Sequence, residues 1–369
     1  MNPLRVAVIG AGHLGRIHAR IAAALEDIEL VAVADPVESC RNSVAQEANT
    51  KSVADFRELI GDIDAAIIAT PTTYHHAIAM ELLGCGLPLF IEKPITVTSQ
   101  QANELVTLAR QKNVTLQVGH VERFNPALTA VAADVRDPKY IDATRTSGYT
   151  FRSTDIGVVM DIMIHDLDIV LSLAKSTVED VQALGISVLG SHEDMATARL
   201  TFASGCVANL TASRVSFQQK RSMSIFTSRG SASINFATFE ATVVKPSDAI
   251  LRREFRAEQL SAEERAYWKE NVFTELLVRQ QRDAQPVNAI QEEQRDFVAA
   301  VRTGRPPRVD GAAGRDAIAV AEMILERMEE HAWDGATSGR HGALAMPALP
   351  IIAGTTQLPV DRTERRRAG

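Results

Sequence analysis

Two short segments of this 369-residue chain carry side chains suited to acid–base chemistry. The first is Glu92-Lys93-Pro94, which follows the apolar run 87–91. A lysine at the end of a strand can hydrogen-bond a substrate hydroxyl through its ammonium. An ordinary surface lysine is the equal alternative. The second is 156–173, apolar on most sides, with Asp161, His165, Asp168 and Ser172 at spacing i, i+4, i+7, i+11. That spacing puts all four on one helix face. Solvent faces usually carry Lys, Glu or Gln, and this stripe has none, so it reads as the lining of a polar cleft. His165 is the best general base, because an imidazole titrates near neutral pH. Asp161, one turn earlier, would fix its tautomer and stabilise the imidazolium. An Asp/His pair is also half a metal site, but no matching His/Cys cluster exists in the sequence, and no metal is expected. Lys93 and His165 can exchange the roles of base and alkoxide stabiliser, and the sequence does not separate them.

A proton abstracted from a hydroxyl calls for a hydride acceptor, and the start of the chain offers a place for one. Gly10-Ala11-Gly12-His13-Leu14-Gly15 follows the strand pattern 4–9 and opens a helical pattern over 15–25. Asp35 ends the next apolar run, 28–34, twenty residues after Gly15. Strand, G-x-G-x-x-G, helix and acid in that order specify a dinucleotide-binding unit. Gly10 permits the turn, Gly12 admits the pyrophosphate, and Gly15 lets helix pack on strand. The helix N-terminus turns its N–H groups toward phosphate. A carboxylate at Asp35 accepts from the ribose 2′-hydroxyl and repels a 2′-phosphate, which favours NAD over NADP. Arg41 is the one nearby cation that could soften this preference, though a solvated role at a helix start suits it better.

The elements around these residues fall into two textures. Up to about residue 122, strand patterns at 4–9, 28–34, 65–69, 87–91 and 114–118 alternate with helical patterns at 15–25, 38–47, 74–84 and 98–111. This predicts a parallel sheet covered on both faces, with ligands beyond the carboxyl ends of its strands. Residues 1–122 are therefore expected to bind NAD. From 123 to 333 a helix at 156–173 precedes alternating runs at 179–189, 196–203, 206–214, 221–228, 230–236 and 238–244, then helical patterns at 261–281, 288–302 and 314–331. These predict an α+β substrate domain with an antiparallel meander whose open face suits oligomerisation. Residues 334–369 lose periodicity and read as a poorly ordered tail or arm.

Hydrophobic residues at 46% and charged residues at 23% are ordinary for a globular protein. The net charge of −7 argues against nucleic acid as a bulk partner. Cys40, Cys85 and Cys206 form neither a disulfide framework nor a metal motif. With no leader and no run approaching the ~18 apolar residues of a membrane span, the chain is expected to be cytoplasmic. Arg123, Arg152 and Arg214 are candidate diphosphate clamps, because a guanidinium pairs bidentately with phosphate oxygens. A structural ion pair is an equal or better reading of each. His75 and His76 have sufficient roles in capping and packing. His120 and Arg123 follow the last strand of the first domain and could reach the crevice.

Taken together, Gly10–Gly15, Ala69-Thr70-Pro71 with His75, Glu92-Lys93-Pro94, Asp161-x-x-x-His165 and the segment 297–307 resemble the glucose-fructose oxidoreductase/inositol dehydrogenase/MocA (Gfo/Idh/MocA) family over about residues 4–330. The resemblance implies a Rossmann domain followed by an α+β domain with an open, mostly antiparallel sheet, and dimers or tetramers built through that sheet. It also implies a cis peptide before Pro94 and a catalytic group of Lys93, Asp161 and His165. Cofactor contacts are implied at Gly10, Gly12, His13, Leu14, Gly15, Asp35, Thr70, Pro71, His75, Glu92 and Lys93. Arg123, Arg152, Asp168 and Arg214 are expected to face substrate. Where many members carry a glycine triplet before the Asp-x-x-x-His segment, this chain has Ile156-Gly157-Val158-Val159-Met160. Together with the residues flanking it, that run is similar to the branch acting on UDP-amino sugars. The branch implies oxidation of the 3-hydroxyl of UDP-N-acetylglucosamine and a partner aminotransferase acting next, toward the 2,3-diamino sugar of lipid A. A dehydrogenase of free inositol or another free sugar, and a non-catalytic NAD-binding regulator, are the alternatives.

Overall fold

The computed structural model describes residues 2–151, 156–189 and 192–331. The expected tail from 334, and Arg152 among the candidate clamps, lie outside the described residues.

The amino-terminal sheet is built from β1 (Leu4–Ile9), β2 (Ile28–Ala34), β3 (Lys51–Val53), β4 (Ala65–Ile68), β5 (Leu89–Glu92) and β6 (Leu116–Gly119). Its order is β3-β2-β1-β4-β5-β6, every pair parallel. This is the doubly wound dinucleotide order, with its switch point between β1 and β4. Ala7, Val8, Ala66, Ile67, Phe90 and Ile91 are fully buried, as continuous apolar strands covered on both faces must be. The intervening helices are α1 (His13–Ala24), α2 (Glu38–Glu47), α3 (Thr72–Gly84) and α4 (Ser99–Lys112). Helix α1 starts two residues before the sequence pattern suggests. The reason is that its first turn springs from Gly12 with no side-chain cap to mark it. The short edge strand β3 has no apolar alternation and was not visible in the sequence.

A short helix, α5 (Pro126–Val131), leads into β7 (Pro138–Thr146). Then come a π-helical turn over Val159–Met163, α6 (Ile164–Ala174), β8 (Val178–Ile186), β9 (Met195–Phe202), β10 (Val207–Ser213), β11 (Lys220–Thr227), β12 (Gly230–Asn235) and β13 (Glu240–Pro246). Two short helices, α7 (Asp248–Leu251) and α8 (Ala262–Asn271), precede the edge strand β14 (Leu277–Arg282). The eight-stranded sheet runs β14-β13-β12-β11-β7-β10-β9-β8. Six of its seven pairings are antiparallel; β7 and β10 are parallel.

The expected meander therefore needs two corrections. Strand β7 inserts between β10 and β11, so the sheet is mixed at its centre. The span 261–281, expected as one helix, breaks at Asn271 and ends as β14. Leu277–Arg282 is rich in Arg and Gln and mostly exposed, so nothing in its pattern announces a strand; pairing with β13 overrides propensity.

Helices α9 (Ala289–Thr303) and α10 (Gly311–Glu330) close the chain against both sheets. Phe297 and Val298 of α9 join the core around Val6, Val8 and Phe90. Ile318 of α10 packs with Leu105 and Val118, while Ile324 and Met328 pack under the second sheet. Among the described residues no helix is long and apolar enough to cross a membrane.

Candidate active site

Backbone alone builds the first half of the site. Gly10 has φ of +101°, and a Cβ there would lie 2.7 Å from the Ala69 carbonyl at the end of β4. A Cβ on Gly15 would lie 1.8 Å from the Gly10 oxygen. Only glycine allows strand, turn and helix to close to this distance. At Gly12, by contrast, a Cβ would meet nothing within 4 Å. The open side faces outward, next to an uncapped helix N-terminus where His13 is exposed and Leu14 half-buried. Asp35 closes the loop: Oδ2 accepts from the Ala11 amide at 2.7 Å and Oδ1 from the Val37 amide at 2.8 Å. Each oxygen keeps a second lone pair for a ribose hydroxyl. The Arg41 guanidinium donates to the Pro36 carbonyl at 3.1 Å beside it. Thr70 Oγ1, in the turn against Gly10, is buried with no hydrogen-bond partner. An amide-lined loop, an open glycine, an uncapped helix and an orphaned hydroxyl fit a dinucleotide diphosphate and ribose.

Two strand ends and helix α1 are then tied together from beneath. The Lys93–Pro94 peptide is cis, as the resemblance implies. His75 is buried between this peptide and the Thr70 turn, with Nδ1 2.9 Å from the Pro94 carbonyl and Nε2 2.8 Å from the Thr70 carbonyl. Burial pushes its pKa below the ordinary imidazole value. Its place is that of a strut between the Thr70 turn and the Lys93–Pro94 peptide. Glu92, also buried, accepts from the Lys93 amide at 3.0 Å and sits 2.7 Å from His18 Nε2. Gln294 Nε2 donates to His18 Nδ1 and to the His18 carbonyl, which leaves the His18 proton on Nε2, facing Glu92. Burial opposes the Glu92 charge, but the His18 hydrogen bond and the Lys93 charge hold its pKa below the usual carboxylate value. Nothing local in the sequence joins His18 to Glu92, seventy-four residues away. Their link anchors the glycine-loop helix to the strand that carries Lys93.

The second half of the site is made of side chains. A cavity of about 260 Å³ lies between the sheets, and Lys93, Asp161 and His165 all line it. The Lys93 ammonium donates to the Asp161 carbonyl at 2.7 Å and to its carboxylate at 3.1 Å. The expected Asp161–His165 pair does not form. Asp161 sits in the π-turn, and its carboxylate serves Lys93 instead. Such wide turns are a frequent mark of functional sites. His165 Nδ1 is buried without a hydrogen-bond partner. Burial first, then the nearby Lys93 and Arg145 charges, hold His165 well below the ordinary imidazole pKa. It is therefore a neutral ring, able to accept a proton. His120 packs edge-on to it, with ring centroids 6.3 Å apart.

The polar stripe read from the sequence divides in three dimensions. Asp161 and His165 face the cavity. Asp168 is buried and pairs with Arg123 at 3.2 Å, and Arg123 also donates to the Arg308 carbonyl. Arg214 is buried, 2.7 Å from Asp194 and hydrogen-bonded to the Ile156 carbonyl. The ion-pair reading describes both arginines, and neither lines the cavity with Lys93.

Two residues that the sequence did not single out do line it. Arg145, on β7, pairs with Asp166 at 2.8 Å and with Glu122 at 2.7 Å. Arg221, the second residue of β11, is exposed. Arg145 could have been found only by recognising β7. Asp166, next to His165, was the available clue: a buried acid on an apolar helix needs a cation.

Comparison with known proteins places the chain in a family. Residues 4–120 match the family model described as oxidoreductase family, NAD-binding Rossmann fold, and residues 127–233 match the Gfo/Idh/MocA C-terminal domain. A UDP-N-acetylglucosamine 3-dehydrogenase of Acidithiobacillus ferrooxidans is 33% identical, over 89% of this chain and 98% of that protein. The chain belongs to the Gfo/Idh/MocA oxidoreductase family. A solved structure of the Acidithiobacillus enzyme superposes with a TM-score of 0.78 at 32% identity, covering 89% of this chain and 98% of that one. A scyllo-inositol 2-dehydrogenase of Bacillus subtilis is 30% identical over 58% of this chain and 68% of its own length. As a Gfo/Idh/MocA protein with this amino-terminal unit, the chain is an oxidoreductase that uses NAD.

Proposed function

We propose that this protein oxidises the 3-hydroxyl of UDP-N-acetylglucosamine to a ketone. The observation that carries the reading is the meeting of Lys93, Asp161 and His165 in one cavity. The relative that matches over nearly its whole length, and acts on that sugar nucleotide, supports the choice of substrate. Residues 1–122 hold NAD and residues 123–333 hold the sugar. When bound, NAD supplies the hydride acceptor. His165, neutral and desolvated, takes the hydroxyl proton. Lys93 donates to the oxygen as its negative charge develops. Asp161 holds the ammonium in place, so it orients Lys93. The sugar carbon gives up the hydride and the oxygen keeps the electron pair of the lost O–H bond, which closes the carbonyl.

A 3-keto product is electrophilic and unfavourable at equilibrium, so a transaminating partner drawing it toward a 2,3-diamino sugar, as in lipid A, fits the chemistry. The protein works in the cytoplasm as a homodimer or homotetramer paired through the open face of the second sheet. The test is NADH absorbance with NAD and UDP-N-acetylglucosamine, its uronic acid or myo-inositol, with a carbonyl trap present. Turnover of UDP-N-acetylglucosamine supports the reading. The inositol dehydrogenase relative motivates the second reading, and turnover of inositol alone would replace the first with it. NAD binding without turnover of any of the three would contradict both and favour a regulator.

A further inference from the structure

Three cations line the catalytic cavity, and two are committed. Lys93 is held by Asp161, and Arg145 by Asp166 and Glu122. The Arg221 guanidinium has no hydrogen bond or ion pair among the described residues, and the residue is exposed. Its backbone is directly opposite Arg145 in the β11–β7 pairing. Like charges at facing positions destabilise a sheet, and Asp166 is already paired by Arg145, so Arg221 adds only a longer-range charge to it. Its charge reaches the chemistry, since it is among the groups that disfavour a protonated His165.

The cavity of about 260 Å³ is below the ~300–1,000 Å³ of pockets that enclose a whole drug-sized ligand, so it holds only part of a sugar nucleotide. The remainder of such a substrate must run out over the rim. The rim beside Arg221 is formed by two loops that brace one another. The Thr146 hydroxyl donates to the Gln218 carbonyl at 2.7 Å, and the Ser216 amide to the Ser147 carbonyl at 3.0 Å. Between Ser216 and Gln218, Phe217 presents its ring to solvent without burying any of it. This exposed phenylalanine sits on a loop tied to Thr146 and Ser147, which line the cavity together with Arg221, and it is an unused apolar surface there.

We propose that Arg221 and Phe217 form a nucleoside-diphosphate subsite at the rim of the catalytic cavity. Arg221 receives the diphosphate through its planar fork of donors, and Phe217 offers a face on which the base stacks. The proposal rests on the nucleotide-sugar reading above and assigns the diphosphate contact to Arg221 in place of Arg123 and Arg214.

The test uses the NAD-loaded full chain and two readouts: steady-state kinetics with UDP-N-acetylglucosamine, and calorimetric binding of UDP. Arg221→Gln should raise KM by about 10- to 100-fold, as expected for losing a charged hydrogen bond, and weaken UDP by a similar factor. The fall in kcat should be much smaller than the rise in KM. Arg221→Lys should recover part of the affinity, because it keeps the charge but loses the fork. Phe217→Ala should weaken UDP by about 5-fold or more, with little change in the affinity of inorganic pyrophosphate. Equal UDP affinity in wild type and Arg221→Gln, with turnover of the sugar nucleotide intact, would overturn the subsite and leave the substrate reading standing. A loss confined to kcat would make Arg221 part of the chemistry and also overturn it. If wild type neither binds UDP nor turns over the sugar nucleotide, the substrate reading fails and the subsite falls with it.

Discussion

The glycine loop and the catalytic cavity lie at the same edge of the first sheet but are built in opposite ways. The loop is a backbone object. Gly10, Gly12 and Gly15 act by lacking a Cβ, and Asp35 holds the loop by two backbone amides. The cavity is a side-chain object. Lys93 from just after β5, Asp161 from the π-turn, His165 from α6, Arg145 from β7 and Arg221 from β11 converge from five places in the chain. Backbone sites tolerate almost no substitution at the glycines, whereas side-chain sites can lose one member and keep their shape.

The largest effect should come from the glycines. Gly15→Ala drives a methyl into the Gly10 carbonyl, backbone against backbone. The expected outcome is loss of measurable NAD binding by fluorescence titration, with about 1–3 kcal/mol of stability lost as well. Retained NAD affinity would show that the loop is less constrained than described.

Next is cofactor choice. Asp35→Asn removes the carboxylate charge but keeps an oxygen for the Ala11 amide. The ratio of NAD to NADP affinity should fall by about 10-fold, and an unchanged ratio would remove Asp35 from the cofactor site.

A subtler test concerns the groups packed behind the cavity. Glu293 is buried with neither carboxyl oxygen partnered, and burial, with Glu92 and Asp168 nearby, raises its pKa well above the ordinary value. The folded state holds this proton more tightly than the unfolded chain does. Stability therefore falls as pH rises from the unfolded carboxyl value, about 4.3, toward the folded one. Glu293→Gln abolishes that slope. It should unfold at higher denaturant than wild type by about 1 kcal/mol at pH 8 and show little difference at pH 4. A constant difference across pH would mean the carboxyl is not protonated in the fold.

The smallest effect is on a pH profile. Because burial and Lys93 keep His165 neutral, the acid limb of kcat/KM should lie below ~6.5. Removing the charge with Lys93→Met should move the residual limb upward. A limb at or above 6.5 in wild type would point to a different base.

The same contrast explains what was legible in the sequence. Gly10–Gly15, Asp35 and the first two strands are written locally, as a pattern within the first thirty-five residues. Lys93 and His165 were visible by type and position, and the resemblance placed them together. The partners were not visible. Asp161 and His165 have the spacing of a pair, but the π-turn between them hands Asp161 to Lys93. Arg145 and Arg221 sit on strands whose side-by-side placement follows from β7 entering the centre of the sheet, a long-range event with no local signature. For Arg123 and Arg214, chemistry alone allowed phosphate or carboxylate, and their pairing with Asp168 and Asp194 depends on long-range packing.

The central claim is that the cavity, and not the glycine loop, performs the chemistry through His165. The most direct test is single-turnover formation of NADH from saturating NAD and UDP-N-acetylglucosamine, comparing wild type with His165→Ala. The account predicts a rate lower by about 10²- to 10⁴-fold with NAD affinity unchanged. A single-turnover rate near wild type would contradict it.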